Sequence, residues 1–278
     1  MLCRRGLIDL TQDIRRGKKS QYLRDVRDAH LRVILNNGLR LHYDVRDSWE
    51  IDEEYLSEVD FYFKRGFSSS CLESLGKDRT KVHPFGLNYE VYPSGADKYA
   101  LERSLMADNI RGKVGAMARS LCLLDSFQFT PRVHLMESLP VYDSPIKVLF
   151  MVRAWDPYSR PGGPKEKVEE RECINRTRAD CIRLLNNAFG SNCCAGFIHT
   201  DSAVRNYRAL LLPDNRQSLK KNYLALLRAH SICVATTGLH GSIGWKFGEY
   251  VAFSKAILSE TLNYEVPGNR PRKKLSVN

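Results

Sequence analysis

Four short apolar runs stand out in the second half of the chain, separated by stretches in which apolar residues recur with helical period. Runs of this length are typical of strands buried on both faces of a parallel sheet. They span residues 146–152, 194–198, 232–235 and 256–258. Residues 173–189 and 219–230 carry apolar positions along one helical face, and Gly190 stands where the first of these helices would end. The alternation predicts parallel strands joined by right-handed crossovers.

A glycine-containing loop follows the third apolar run. Gly238, Gly241 and Gly244 are spaced three residues apart, and a helical pattern begins just after them. Strand, loop, helix and strand form a βαβ unit, which brings the loop to the carboxyl edge of the sheet, where open α/β folds bind ligands. Free N–H groups at the start of the helix would suit a phosphate. The spacing differs from the dinucleotide pattern G-x-G-x-x-G, so the loop taken alone fits a tight turn equally well.

Several side chains in this region have the chemistry to bind a ligand. Lys246 can meet a phosphate as a point charge, and Glu249 can accept hydrogen bonds from two sugar hydroxyls. Arg153 follows the first apolar run, and a guanidinium binds phosphate oxygens in a fork. Each residue also has a purely structural interpretation. In this interpretation Lys246 is a surface lysine, Glu249 is an acid favoured by the helix dipole, and Arg153 makes a local turn contact.

Residues 241–260, GSIGWKFGEYVAFSKAILSE, resemble the C-terminal domain of GT-B glycosyltransferases of the family 1 type. These are two-domain enzymes that use sugar nucleotides. In many of them a glycine-containing loop leads into a helix with an E-A-x-A-x-G-like segment, whose glutamate contacts the ribose. Glu249 stands at the matching place, so the resemblance implies that role for it. The sequence departs from the retaining pattern at Gly241, where those enzymes carry a second glutamate.

The resemblance also implies roles for other residues. The donor diphosphate is expected to meet the glycine loop and two cations; the residues are Arg153, Gly238, Gly241, Ser242 and Lys246. His240 or Ser242 could take over part of the role of the missing glutamate. His240 and His83 are the candidate catalytic residues. GT-B enzymes typically need no metal, because cations and helix dipoles stabilise the leaving diphosphate.

At the level of the whole chain, the resemblance implies an α/β fold with two Rossmann-like domains. Residues 1–143 would form a short N-terminal domain on the acceptor side. Residues 144–278 would form the nucleotide-sugar-binding domain, a parallel sheet with flanking helices. Prolines and polar residues near 143–145 predict the linker between the domains. Residues 161–170 predict a polar loop.

The first half carries weaker strand patterns. Residues 30–44 are typical of a β-hairpin, and residues 59–65 and 81–89 predict two further strands. Helical spacing appears in residues 1–30 and 94–120. Lys64, Arg65 and His83 lie at or near strand ends, where they are candidates for the acceptor side by position alone. A polar residue with a local partner is the structural alternative for each.

Two aspartates in the first half invite a metal-site interpretation. Asp44 and Asp47 flank Arg46. This arrangement favours a local ion pair or a cap, so we predict no metal site here. The eight cysteines form no C-x-x-C pair and show no spacing typical of zinc, so no cofactor is expected.

Composition changes this picture only slightly. The 278 residues carry a formal net charge of +11, which suits phosphate-bearing ligands, nucleic acid or an anionic membrane surface. No nucleic-acid-binding motif is present, so nucleic acid is not an expected partner, whereas peripheral membrane contact is compatible with the charge. The sequence shows no secretory signal and no apolar run long enough to span a bilayer, which predicts a cytoplasmic protein.

The function predicted from these observations is transfer of a sugar, of the hexosyltransferase type, from a nucleotide-sugar donor to a sugar or glycan acceptor. The reaction would belong to polysaccharide or glycoconjugate synthesis. The alternative is a non-catalytic or truncated nucleotide-binding or interaction protein on the same fold, since fold does not fix function.

Overall fold

The computed structural model describes residues 30–36, 38–91, 110, 114, 132–142, 145–159 and 162–267. The helical patterns in residues 1–29 and 94–120 lie almost wholly outside these residues, as do Asp143 and Ser144 of the predicted linker. The described part of the chain is mixed α/β, with two four-stranded sheets. Among the described residues, no helix is both long and apolar enough to cross a bilayer.

The first sheet has strand order β1-β2-β3-β4. Its strands are β1 (His30–Ile34), β2 (Arg40–Asp44), β3 (Phe61–Lys64) and β4 (Val82–Pro84). β1 and β2 form the predicted antiparallel hairpin, whereas β2, β3 and β4 run parallel. The short helix α1 (Glu53–Ser57) joins β2 to β3, and the Asp52 side chain caps it by accepting from the Tyr55 N–H. A 3-10 segment, Ser69–Lys81, joins β3 to β4.

The second sheet is wholly parallel, as predicted, with strand order β6-β5-β7-β8. Its strands are β5 (Val148–Val152), β6 (Cys193–Phe197), β7 (Ile232–Ala235) and β8 (Ala256–Ser259). The flanking helices are α2 (Lys165–Phe189), α3 (Asp201–Asn206), α4 (Lys220–Ala229) and α5 (Trp245–Ala252).

Apolar cores fill both faces of the second sheet. Alternate residues of β5 point to opposite faces, so Phe150 packs with Ile182 of α2 on one side, while Leu149 packs with Leu227 of α4 on the other. All five residues of β5 are buried. This accounts for the continuous apolar run in the sequence, because a central parallel strand has no solvent-facing side.

One local prediction for the second half was wrong, and one short helix was not predicted. Residues 165–170 are the first turns of α2 and not a loop, although Gly162 beside them has the positive φ of a turn. These turns are charged and stabilised by pairs such as Lys165–Glu169, so they show no apolar period. α3 was missed, because six residues are too few to show a period; Thr200 caps it by accepting from the Ala203 N–H.

The carboxyl edges of the two sheets face each other. Residues that follow β3 and β4, among them Arg65 and Leu87, meet Ile243 of the glycine loop around a void of only about 10 Å³. Arg65 Nη2 donates to the Ile243 carbonyl at 2.7 Å. The segment after β8 returns to the first sheet, where the Glu265 N–H donates to the Phe67 carbonyl at 2.9 Å. The glycine loop therefore lies between the two strand edges.

Candidate functional site

A cavity of about 350 Å³ opens at the carboxyl edge of the second sheet. The residues that follow all four strands line it, as expected for a ligand site in an open α/β sheet. After β5, β6, β7 and β8 these residues are Arg153, Trp155, Ile198, Thr236, Thr237, Glu260 and Leu262. The loop residues Ser242, Ile243 and Gly244 and the first residues of α5 complete the wall.

The glycine loop closes on itself at the edge of this cavity. The Gly238 N–H donates to the Ser242 carbonyl at 2.8 Å, and the turn between them needs positive φ at His240 and Gly241. A Cβ atom on Gly238 would lie 2.8 Å from Ser242 Oγ, so only glycine fits this close approach without a shift. Gly238 and Gly241 shape the loop, whereas Ser242 reaches the cavity wall.

The N-terminus of α5 opens on the cavity. Gly244, Trp245 and Lys246 line it, and no side chain caps the helix. The first N–H groups of a helix have no intrahelical acceptor and carry a partial positive charge. This wall of the cavity therefore favours an anion.

Lys246 is a partly buried cation in the cavity wall. Its ammonium donates to the Met151 carbonyl of β5 and lies 4.6 Å from the centre of the Tyr223 ring. Burial lowers the pKa of Lys246 to about 8, although the charge of Glu249 opposes the shift. The side chain is therefore mainly protonated at neutral pH, and an anion in the cavity would favour that form.

Two arginines stand at the end of β5. Arg153, which follows the first apolar run, is exposed and lines the cavity. Arg178 of α2 also lines it, and only 8% of its surface is exposed. Its guanidinium donates to the Arg153 carbonyl at 2.7 Å and to Thr236 Oγ1 at 3.1 Å, which ties the end of β5 to the end of β7. Burial lowers the pKa of Arg178 to about 10, against the opposing charge of Glu260, and still leaves it charged at neutral pH.

Glu249 does not line the cavity. It is buried, and each of its carboxylate oxygens already has a partner: Lys220 Nζ donates to one and the Tyr223 hydroxyl to the other, both at 2.7 Å. Both partners belong to α4. The residue expected to hold the ribose thus joins two helices in this structure.

Neither candidate catalytic histidine is among the residues that line the cavity. His240 is exposed in the loop, where its N–H donates to Glu170 and its carbonyl accepts from the Tyr264 hydroxyl. His83 lies on β4, with its ring 5.5 Å from that of Phe61, and its buried Nε2 has no hydrogen-bond partner in the described part of the chain. The structure therefore brings together Arg153, Ser242 and Lys246, but neither histidine.

Three residues that shape the cavity, Arg178, Asn175 and Glu260, were not predicted from the sequence. Arg178 and Asn175 lie on α2, and Asn175 exchanges two hydrogen bonds with the Trp155 backbone, at 2.8 and 2.7 Å. Glu260 follows β8 directly. Arg178 and Asn175 could have been noticed as polar residues on the otherwise apolar face of a helix. The sequence does not indicate their hydrogen-bond partners, which lie twenty to fifty-nine residues away.

Within the described residues, no group of three or more His, Cys, Asp and Glu side chains is placed to hold a metal ion. No protein-family model, no curated protein and no solved structure matches the chain. Function must therefore be inferred from the residues of the cavity themselves.

Proposed function

We propose that this protein is a glycosyltransferase of GT-B architecture, which transfers a hexose-type sugar from a nucleotide-sugar donor to a sugar or glycan acceptor. The observation that carries the proposal is the cavity at the carboxyl edge of the parallel sheet. It joins an uncapped helix N-terminus to three cationic side chains, Arg153, Arg178 and Lys246. Its volume of about 350 Å³ lies within the range of small-molecule sites.

The donor diphosphate binds at the cationic wall in this proposal. Arg153 is exposed and can turn its fork towards phosphate oxygens, while the α5 N-terminus supplies N–H donors. Lys246 contributes a positive charge below its pKa of about 8. Together these groups stabilise the charge that develops on the leaving diphosphate, so no metal ion is needed.

The acceptor approaches from the first sheet, whose carboxyl edge faces the glycine loop. His240 is exposed on that loop and is the first candidate for the base that takes the proton of the acceptor hydroxyl. His83, on β4, is the second candidate. The facing edges of the two sheets support the GT-B arrangement, in which donor and acceptor meet between two such domains.

A second candidate function is nucleotide binding without catalysis on the same fold. The engagement of Glu249 by Lys220 and Tyr223 favours it, because the carboxylate expected at the ribose is already occupied. Gly241, at the position of the second family glutamate, favours it as well. The two candidates share the donor site and differ in whether bound donor is consumed.

The test combines donor binding with donor turnover. UDP-, GDP- and CDP-sugars are screened by thermal shift and the best is titrated by calorimetry, because ligands of the native state raise the melting temperature. Arg153→Gln should weaken its binding by about tenfold or more, the loss of one charge-assisted contact of at least 1.4 kcal/mol. Arg183→Gln is the matched control, because Arg183 is exposed on α2 and pairs with Asp180.

Release of nucleoside diphosphate from the bound donor, measured with and without glycan acceptors, separates the two candidates. Release supports the transferase, and tight binding without release supports the binding protein. The proposed donor site is wrong if no sugar nucleotide binds. It is also wrong if Arg153→Gln binds the donor as tightly as the wild type and the Arg183→Gln control do.

A further inference from the structure

Glu260 places a carboxylate in the cavity wall directly after β8. One of its oxygens, Oε2, accepts from the Thr237 N–H at 2.6 Å and from the Thr237 hydroxyl at 3.0 Å. Thr237 leads into the glycine loop after β7, so these two bonds join the ends of neighbouring strands. They also fix the orientation of the carboxylate before any ligand binds, which lowers the entropic cost of a further contact.

The second oxygen of this carboxylate remains available. Glu260 Oε1 has no hydrogen-bond partner among the described residues, and the side chain is exposed at the cavity. An ionised carboxylate accepts hydrogen bonds at about four lone-pair positions and donates none. Its partners are therefore donor groups, such as the hydroxyls of a sugar, and it would repel a phosphate.

Two of the acids that follow the glycine loop, Glu249 and Glu260, have different surroundings. Glu249 is buried with both oxygens engaged and is not among the residues lining the cavity, whereas Glu260 lines it with one oxygen unengaged. The cations Arg153 and Lys246 in the same wall match the anionic part of a nucleotide. Glu260 matches the neutral part, which is rich in hydroxyls.

We infer that Glu260 is the residue that binds hydroxyls of the donor, on the ribose or on the transferred sugar. It would take the role that the family resemblance assigns to Glu249. The inference rests on the proposed function, because it needs a sugar nucleotide in this cavity. It makes Glu260 a specificity-determining residue, since a ligand without these hydroxyls lacks the donors for this carboxylate.

Calorimetric titrations test this with three probes. They are the tightest-binding of UDP, GDP and CDP, its 2′-deoxy analogue, and the same nucleotide carrying glucose. The proteins are wild type, Glu260→Gln and Glu260→Ala. Glu260→Gln keeps a carbonyl oxygen for the Thr237 N–H, so the loop keeps its tie, but its amide nitrogen cannot accept from a hydroxyl.

The matched control is Glu170→Gln. Glu170 also accepts a backbone N–H of the loop, that of His240, but does not line the cavity. A variant that weakens binding only by loosening the loop should therefore behave like this control.

We expect wild type to bind a hydroxyl-bearing probe at least about tenfold more tightly than the probe that lacks that hydroxyl, a difference of about 1.4 kcal/mol. Both Glu260 variants should reduce this preference to near unity, while Glu170→Gln retains it. Loss of the ribo-over-deoxy preference assigns the contact to the ribose. Loss of the gain from glucose assigns it to the transferred sugar.

An equal loss of affinity for all three probes would show that Glu260 serves only to hold Thr237, and would overturn the inference. Unchanged affinities in both Glu260 variants would overturn it too, while leaving the proposed function intact. If wild type binds none of the probes, the proposed function falls and this inference falls with it.

Discussion

At the scale of the residue, Asp44 shows how this fold accommodates buried charge. It ends β2 and is fully buried, yet it accepts from Tyr62 at 2.6 Å, Lys64 at 2.9 Å and Arg46 at 2.7 Å. The predicted local ion pair with Arg46 is present, and Lys64 joins it from the neighbouring strand. Burial alone would raise the pKa of Asp44. The hydrogen bonds from Arg46 and the charge of Lys64 outweigh that effect and hold the pKa at about 2.

Asp44→Asn should therefore destabilise the protein strongly. The substitution keeps the shape of the side chain but leaves the fully buried Lys64 ammonium without its carboxylate, which costs about 3–5 kcal/mol. The free energy of unfolding, measured by urea denaturation at pH 7, should fall by that amount. Asp180→Asn, which breaks the exposed pair with Arg183, is the control and should cost less than about 1 kcal/mol. Equal losses in the two variants would contradict this account.

Asp44→Asn should also change how stability depends on pH. The pKa of Asp44 is about 2 in the folded protein and near 3.8 in the unfolded chain, so the carboxylate stabilises the fold fully above about pH 4. That contribution is lost as the pH falls from about 4 to about 2. The difference in unfolding free energy between wild type and Asp44→Asn should therefore shrink over this range.

Residue roles in the candidate site could be predicted only where position along the chain decides them. Arg153 and Ser242 follow a strand and a glycine turn, so a sheet topology brings both to its carboxyl edge. For Glu249 the sequence offered a family position, but Lys220 and Tyr223, on another helix, decide its surroundings. Long-range partners of this kind decide whether Glu249 or Glu260 keeps a carboxylate oxygen available. A local sequence pattern does not reveal such partners.

At the scale of the element, the glycine loop needs a glycine at position 241 but has room for a side chain at position 244. Gly241 has a φ of +64°, and a Cβ there would meet the Asn263 side chain at 2.6 Å. Gly244 has a negative φ, and a Cβ there would meet nothing within 4 Å. Gly241 and Gly244, three residues apart, therefore form a matched pair of sites for substitution.

Gly241→Ala should lower the free energy of unfolding by about 1–2 kcal/mol, because an L-residue is strained at positive φ. Gly244→Ala should change it by less than about 1 kcal/mol, because the site is open and the backbone is extended. Thermal and urea denaturation of the two variants would measure the difference. If Gly244→Ala is the more damaging change, the loop conformation described for these residues is wrong.

The elements themselves could largely be predicted in the second half of the chain. β5 to β8 all fall on the four apolar runs. The signal of β5 is continuous because this strand is buried on both faces, whereas the edge strand β8 is apolar although it is partly exposed. The start of α2 could not be predicted, since its first turns are mostly exposed and consist of charged residues apart from Val168. In the first half, β1 has no buried residue and β4 has only three residues, so their patterns mark them less clearly.

At the scale of the whole molecule, Arg65 helps to join the two sheets, alongside the bond from the Glu265 N–H to the Phe67 carbonyl. Arg65 follows β3 and is mostly buried; it pairs with Asp47 in its own sheet and donates to the Ile243 carbonyl of the glycine loop. Arg65 and Ile243 are 178 positions apart in the sequence. No pattern in the sequence could reveal this contact, which depends on how the two sheets come to face each other.

Arg65→Met should weaken that link while keeping the apolar stem of the side chain. The Ile243 carbonyl loses its donor, which should reduce the free energy of unfolding by about 1–3 kcal/mol. Arg40→Met is the control, because Arg40 is half exposed on β2 and its contact with Asp60 is long, at 3.9 Å. Chemical denaturation of both variants should separate them, and a loss as large in Arg40→Met would refute the linking role of Arg65.

The positions of the tryptophans have a practical consequence. Trp155 and Trp245 line the cavity, whereas Trp49 lies near the first sheet and is not among the lining residues. The chain contains only these three tryptophans. Indole emission responds to a change in the polarity of its surroundings, so the protein carries its own optical reporter. Replacing Trp49 with phenylalanine would leave an emission signal that comes from the cavity alone, with no dye attached.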